Sequence, residues 1–390
     1  MNKINLPLAT TSWDEKEIEA IQKVVQSGFY TMGTEVARYE ADFAKYFGSK
    51  YSLMCSSGST ANLLMVAALF FRKENPLRRG DEVLVPAVSW STTYYPLAQY
   101  GLKLKFVDID LETLNYDLKA LESAFSPKTK LVMAVNLLGN PNDFEQLQSL
   151  CQRHGAILIE DNCESMGARF LDRECGTFGV MGTFSSFFSH HISTMEGGSI
   201  LTDDEELYHI LLCLRAHGWT RNLPKFNKVT GEKSDDAFEE SFKFVLPGYN
   251  VRPLEMEGAI GQEQLKKLPH FVNERRRNAE VFVREFAGHP DLIIQKEMGQ
   301  SSWFGFSLVL RPNARWLRKD LVRLLSSAGV DCRPIVAGNF AKNDVLKWME
   351  HEIHGELKNA EWIDQHGLFI GNHHHPIDDK IRSLKKLLTD

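Results

Sequence analysis

The chain has 390 residues, of which 43% are hydrophobic and 25% charged, so it is long enough to bury a sizeable core and has the composition of a globular protein. Its 45 Lys and Arg stand against 51 Asp and Glu, a formal net charge of −6. With no basic excess to hold a phosphate backbone, nucleic acid is not an expected partner.

Between Met1 and Trp13 no apolar segment follows a basic start, so no signal peptide is expected. Apolar or β-branched runs at Tyr51–Cys55, Glu82–Ala87, Lys103–Asp108, Leu131–Leu138 and Ala156–Glu160 predict strands. Helical segments separate them at Ala61–Arg72, Leu118–Phe125 and Asp143–His154. The longest apolar run, Leu63–Phe71, is far short of the roughly 20 residues of a membrane span, so no membrane association is expected. Strands alternating with helices imply crossover connections and a mostly parallel sheet, with ligands at the carboxyl ends of its strands. Further strand signals follow at Thr183–Phe188 and Ser199–Thr202. The charged stretch Asn222–Glu240 reads as a long surface loop. From Leu254 a helix runs to about Phe286, followed by a strand at Phe304–Leu310 and helices at Leu317–Ala328 and Asp378–Leu388. This predicts a smaller α+β domain after about residue 260. The six cysteines, at 55, 151, 163, 175, 213 and 332, form no CxxC pair. A reduced, cytoplasmic protein without a cysteine-rich metal site is expected.

Three constellations follow strand ends. Cys55-Ser56-Ser57-Gly58-Ser59-Thr60 joins a strand to a helix, and its small residues and free N–H groups suit a phosphate or a simple helix cap. It has neither Walker nor dinucleotide glycine spacing. Asp161, in Glu160-Asp161-Asn162-Cys163-Glu164, ends an apolar strand, where a carboxylate can pair with a protonated ring nitrogen or cap a helix. His190-His191 follow a strand and precede Glu196-Gly197-Gly198. A histidine there can serve as acid and base near neutral pH, or simply be solvated. Adjacent histidines diverge too far to share a metal.

The order and spacing of these constellations resemble the sugar aminotransferases, pyridoxal-phosphate enzymes acting on nucleotide-linked keto sugars. The likeness continues through Tyr30-Thr31-Met32-Gly33, Phe43-Ala44-Lys45-Tyr46-Phe47-Gly48, Gly248-Tyr249-Asn250-Val251-Arg252 and Gly371-Asn372-His373, nearly the whole chain. It implies an α/β, aspartate aminotransferase-like fold. A large cofactor-binding domain at 1–260 would carry a mostly parallel mixed sheet between helices, and a small α+β domain would occupy 261–390. It implies that Gly58, Ser59 and Ser185 hold the cofactor phosphate, that Asp161 pairs with the pyridine nitrogen and that Trp90 stacks on the ring. Glu164 falls near the ring hydroxyl, where relatives carry Gln. Asn250 matches an amide reaching the phosphate of the neighbouring subunit, which implies a homodimer with its active site at the interface.

One departure changes the expected chemistry. The family's Schiff-base lysine stands six residues before the Glu of Glu-Gly-Gly, and here that position is His190; no lysine lies between Lys130 and Lys225. Without the amine, no imine to the chain can form. This variant resembles the family's 3-dehydratase branch of deoxysugar pathways, specifically its GDP-sugar members, through Ser189-His190-His191-Ile192-Ser193-Thr194 and Arg215-Ala216-His217-Gly218-Trp219-Thr220-Arg221-Asn222. A second histidine-bearing branch carries an iron–sulfur cluster, which needs four cysteines downstream, and only Cys213 and Cys332 lie there. The resemblance implies non-covalent pyridoxamine or pyridoxal phosphate, a GDP-linked 4-keto-6-deoxy hexose as substrate and glutamate as amino donor. His190 would move the proton that lets the carbon-3 hydroxyl leave. His217, Arg252 and Asp331 are further candidates for substrate binding, and Asp331 falls where the GDP-sugar dehydratases carry Glu. The run His373-His374-His375 is read as the family's closing loop, with no metal expected. A sugar 4-aminotransferase with an unusual base, or a non-catalytic regulatory relative, remain the alternatives.

Overall fold

The computed structural model describes residues 3–389. The outermost positions of the expected domains, 1, 2 and 390, lie outside the described residues. The chain opens with helices α1 (Glu15–Ser27) and α2 (Thr34–Phe47), then alternates β1 (Tyr51–Cys55), α3 (Gly58–Phe71), β2 (Glu82–Pro86), α4 (Ser91–Gln99), β3 (Lys103–Val107), α5 (Leu118–Ala124), β4 (Thr129–Val135), α6 (Phe144–His154) and β5 (Ile157–Asp161). A short hairpin of β6 (Arg169–Phe170) and β7 (Arg173–Glu174) precedes β8 (Gly182–Ser185), β9 (Gly198–Thr202) and α7 (Glu205–Arg215). A second hairpin, β10 (Phe226–Asn227) with β11 (Gly231–Glu232), leads through α8 (Ala237–Ser241) to the long α9 (Glu255–Phe286). The remainder holds β12 (Leu292–Ile294), β13 (Gly305–Leu310), α10 (Arg318–Ser327), β14 (Cys332–Arg333), β15 (His351–Ile353), α11 (Lys358–His366), β16 (Gly367–Gly371) and α12 (Asp378–Thr389).

Helix starts follow local chemistry. Asp117, Asp143 and Asp204 cap α5, α6 and α7 by accepting first-turn amides, and Ser57 and Thr60 form a capping box at α3. The large sheet runs β1-β9-β8-β5-β4-β2-β3-β15, with β9 antiparallel to both neighbours and every other pairing parallel. Alternate residues of a strand feed cores on opposite faces. In β4, Leu131, Met133 and Val135 join one and Val132 and Ala134 the other. Both faces are covered, so the strands read as continuous apolar runs rather than as alternation.

The small sheet, β12-β13-β16-β14, is wholly antiparallel. Its core gathers Phe282 and Phe286 of α9, Phe306 and Leu308 of β13, Leu321 of α10 and Leu384 of α12. The boundary expected at residue 260 falls inside α9, which spans about 48 Å at 1.5 Å per residue. Leu265, Leu268, Phe271 and Val272 of α9 pack with α2 against the large sheet, while Ala279, Phe282 and Phe286 enter the small core. Leu6 also lies in the small core, whereas β15 extends the large sheet beside β3.

Three local expectations differ. The strand expected to reach Leu138 stops at Val135, and Leu137–Gly139 form a 3₁₀ turn in which the Leu138 amide donates to Glu164 at 3.0 Å. The strand expected to reach Phe188 ends at Ser185, where the chain leaves the β9 ladder. The stretch expected as a long surface loop at Asn222–Glu240 contains the β10–β11 hairpin and most of α8.

Phe306 is fully buried and stacks on Phe282 with centroids 4.2 Å apart. Phe306→Ala is expected to destabilise the small domain by about 3–5 kcal/mol. Equilibrium denaturation should then show that domain's transition at lower denaturant.

Candidate active site

The carboxyl ends of β1, β5 and β8 meet the start of β9. Gly198 pairs with both Cys55 and Ser185 across the ladder, and a Cβ on it would lie 2.2 Å from the Ser57 carbonyl oxygen. The turn into α3 is therefore pressed against β9. Gly58 is equally enclosed, since a Cβ there would sit 2.7 Å from Ser185 Cβ and 2.9 Å from Cys163 Sγ. Thr60 N–H donates to Ser57 Oγ and Ala61 N–H to the Ser57 carbonyl. The Gly58 and Ser59 amides have no acceptor among the described residues, and they open at the positive end of a 14-residue helix. Ser185 Oγ lies against this turn. The free amides and the Ser185 hydroxyl form a cradle that suits a phosphate group. The Ser59 side chain is exposed and bonds Thr92 Oγ1 at 3.1 Å.

Asp161 ends β5 and is 5% exposed. Its Oδ2 accepts from Asn62 Nδ2 and from Thr93 Oγ1, both at 2.8 Å, and its Oδ1 accepts from the Cys163 amide at 3.1 Å. Thr183 Oγ1 donates to Asn62 Oδ1 at 2.6 Å, which sets the orientation of the Asn62 amide. The carboxylate is thus held by neutral donors and pairs with no cation among the described residues. That suits it to a protonated heterocycle. Asn62 and Thr93 escaped sequence reasoning. Asn62 left a faint signal, as a lone amide next to the apolar run of α3, and Thr93 left none.

The two histidines diverge. His191 is 1% exposed, bonds the Ser302 carbonyl through Nε2 at 3.1 Å, and burial holds it well below the usual imidazole range. It is a packed, neutral residue. His190 is only partly buried, and its ring stands 5.3 Å from Phe304 and 6.0 Å from Phe187. Its Nδ1 is enclosed without a partner, and burial, aided by the Arg275 charge, lowers its pKa to about 4.

Glu164 is half-buried near this edge. Burial pushes its carboxyl up to about 7, the Asp161 charge adds to the effect, and the Leu138 amide opposes it. Trp90 precedes α4 with 57% of its surface exposed, leaving a flat aromatic face free. Asn250 is exposed, and its Oδ1 accepts from Arg252 Nε at 2.9 Å. No hydrogen bond joins Asn250 to Asp161, Ser185 or His190 of the same chain. The Arg252 guanidinium lies 5.7 Å from the Trp219 ring, and the His217 ring lies 4.9 Å from it. Asp331 is exposed just before β14, with its amide on the Leu6 carbonyl at 2.9 Å. His373 uses both ring nitrogens on Thr10 and Pro7, and no group of three metal-binding side chains occurs among the described residues.

The fold and this edge define a pyridoxal-phosphate type of architecture. Residues 11–388 match the DegT/DnrJ/EryC1/StrS aminotransferase family, and the chain belongs to that family. It is 62% identical over 386 residues to a GDP-4-keto-6-deoxy-D-mannose 3-dehydratase of Yersinia pseudotuberculosis, covering 99% of this chain and 98% of that protein. It is similar to the crystal structure of a mutant GDP-4-keto-6-deoxymannose-3-dehydratase with bound GDP-perosamine, with a TM-score of 0.98, 62% identity, and 99% and 100% of the two chains covered. It is equally similar to a GDP-4-keto-6-deoxymannose-3-dehydratase with a trapped PLP-glutamate geminal diamine, with the same TM-score, identity and coverage.

A methyl group at Gly58 must displace Ser185 or Cys163. Gly58→Ala is therefore expected to weaken cofactor binding roughly tenfold or more, about 1.4 kcal/mol or above. Absorbance titration of the purified protein with pyridoxal phosphate reads this directly.

Proposed function

We propose that this chain is a pyridoxamine-phosphate-dependent 3-dehydratase. In this reading it removes the carbon-3 hydroxyl of GDP-4-keto-6-deoxy-D-mannose to give GDP-4-keto-3,6-dideoxy-D-mannose. Glutamate restores the amine form of the cofactor. The observation that carries the reading is His190, which occupies the position of the family's lysine while the phosphate cradle and Asp161 are retained. The 62% identity to dehydratases over almost the whole chain supports it.

Bound pyridoxamine phosphate supplies an amine for the sugar ketone and a ring that draws electrons from its own methylene. Gly58, Ser59 and Ser185 hold the phosphate in this reading. Asp161 keeps the ring nitrogen protonated, Trp90 covers the ring face, and Glu164 faces the ring hydroxyl. The His190 imidazole takes one proton and delivers it to the carbon-3 hydroxyl, which leaves as water. Histidine offers no amine to capture the cofactor, so the cofactor stays non-covalent. His217, Arg252 and Asp331 are assigned to the substrate.

The reading includes a homodimer in which Asn250 completes the partner's site. Its exposed Oδ1–Arg252 pair, with no link to its own Asp161 edge, supports this. So does the exposed apolar surface of Phe187, Phe188, Met195 and Leu254 beside the site. No helix among the described residues is long and apolar enough to cross a membrane. The six unpaired cysteines support a cytoplasmic location.

Incubation with cofactor, glutamate and GDP-4-keto-6-deoxymannose, followed by mass spectrometry, tests the reading. Loss of water and release of ammonia are expected, whereas a stable 4-aminosugar would make the protein an aminotransferase. Borohydride reduction of the pyridoxal-loaded protein should leave no cofactor on the chain.

His190→Asn should lower dehydration by about 10²–10⁴-fold while leaving cofactor affinity nearly unchanged. His191→Asn should cost far less activity, although losing the bond to the Ser302 carbonyl should cost about 1–2 kcal/mol of stability. If the effects on dehydration are reversed, His191 is the base.

A further inference from the structure

A histidine that takes a proton must be neutral when substrate arrives. The structure places an uncompensated cation behind it. Arg275, in the middle of α9, is 5% exposed. Its Nη1 donates to the carbonyls of Phe304, at 3.0 Å, and Asn372, at 2.8 Å, while its Nε has no partner. No carboxylate pairs with it among the described residues. A buried guanidinium without a counter-ion is costly, and carbonyl dipoles offset only part of that cost. Burial lowers it to about 10, so it stays charged at neutral pH.

Phe304 connects this cation to the site. Its carbonyl binds Arg275, while its ring packs against His190, at 5.3 Å, and His191, at 5.8 Å. Two residues earlier, the Ser302 carbonyl holds His191. Asn372 closes the unit, its Nδ2 donating to the Arg275 and Trp303 carbonyls. The guanidinium, the 302–304 segment and the two-histidine loop therefore form one packed assembly.

Resting on the dehydratase reading, we propose that Arg275 is a positioning residue for His190. Its unpaired charge keeps the imidazole neutral until it accepts a proton, and makes the resulting imidazolium a stronger acid toward the departing hydroxyl. The other groups around His190 do not cancel this field. His191 is neutral through burial, Arg276 of α9 is a second cation acting on His191, and the 302–304 segment presents only Ser302, Trp303 and Phe304. Asp161 on β5 is engaged by Asn62, Thr93 and the Cys163 amide. The sign is consistent: a cation favours the uncharged imidazole, and the His190 pKa is lowered, first by burial and then by Arg275.

The test uses the full chain labelled at histidine Cε1, with His190→Asn to assign the signal, and follows His190 by NMR through the acid range. In Arg275→Gln, which loses the charge but keeps an amide donor, the His190 titration should rise by about one unit. The acid limb of the dehydration pH profile should rise with it. Arg275→Lys, which keeps the charge, should titrate near the parent value. If Arg275→Gln does not fold, Arg275→Met, which replaces the buried charge by an apolar side chain of similar length, is read in its place and should raise the titration in the same sense. The proposal is overturned if the titration of a folded charge-loss variant stays at the parent value, or if Arg275→Lys moves as far as the charge-loss variant. The titration needs no turnover. A shifted titration in a chain that does not dehydrate supports the Arg275–His190 coupling and sinks only the dehydratase reading.

Discussion

The architecture depends on satisfying one buried carboxylate at the end of an apolar strand. Asp161 is buried, has no cation beside it, and is satisfied by donors from three separate elements. An unpaired buried charge is expensive, so each donor must be delivered accurately. Asn62 comes from the first turns of α3, Thr93 from α4, and the Cys163 amide from the turn after β5. Thr183, on the neighbouring strand, locks the Asn62 amide so that its nitrogen faces the carboxylate. The parallel order of β5 and β8 brings Thr183 level with Asp161 in register. A cationic ring would find there a site already organised to receive it.

The same edge makes room for an anion by removing side chains. Gly58 and Gly198 sit where any Cβ would collide with Ser185 or with the Ser57 carbonyl. That close approach directs the start of α3 into the cleft with two amides free. The phosphate cradle and the carboxylate thus share one helix. Its N-terminus leaves two amides free, and its next turn holds Asp161 through Asn62. The placement of α3 therefore fixes the free amides relative to the carboxylate.

The histidines divide their work by burial. His191 is fixed in the core by a backbone carbonyl, and its neighbour is left at the cleft with an unsatisfied nitrogen. Successive side chains diverge, so anchoring one orients the other. The long α9 lies behind both, and it also carries apolar residues into the small domain. The small domain's 302–304 segment is in turn packed on the histidine loop. Domain packing and the environment of His190 are therefore the same set of contacts.

Much of this was legible in the chain itself. The runs at Tyr51–Cys55 and Ala156–Glu160 gave strands because both faces of the sheet are covered, and their ends led to Gly58 and Asp161, while Ser185 was marked only by the family resemblance. Counting six residues back from Glu196 isolated His190 and turned the expected chemistry from transamination to dehydration. Other features carried no local mark. The strand at His351–Ile353 is too short and polar to announce itself, and it exists because β3 offers a free edge. The domain division could not be placed by composition, because α9 is one uninterrupted helix serving two cores. Thr93, Asn62 and Arg275 lie 68, 99 and 29 residues from the groups they bond, so only the folded chain makes them neighbours. The sequence by itself determined which chemical groups were available at each strand end. The tertiary structure decided how those groups were charged and aimed, because burial and distant donors act only once the chain is packed.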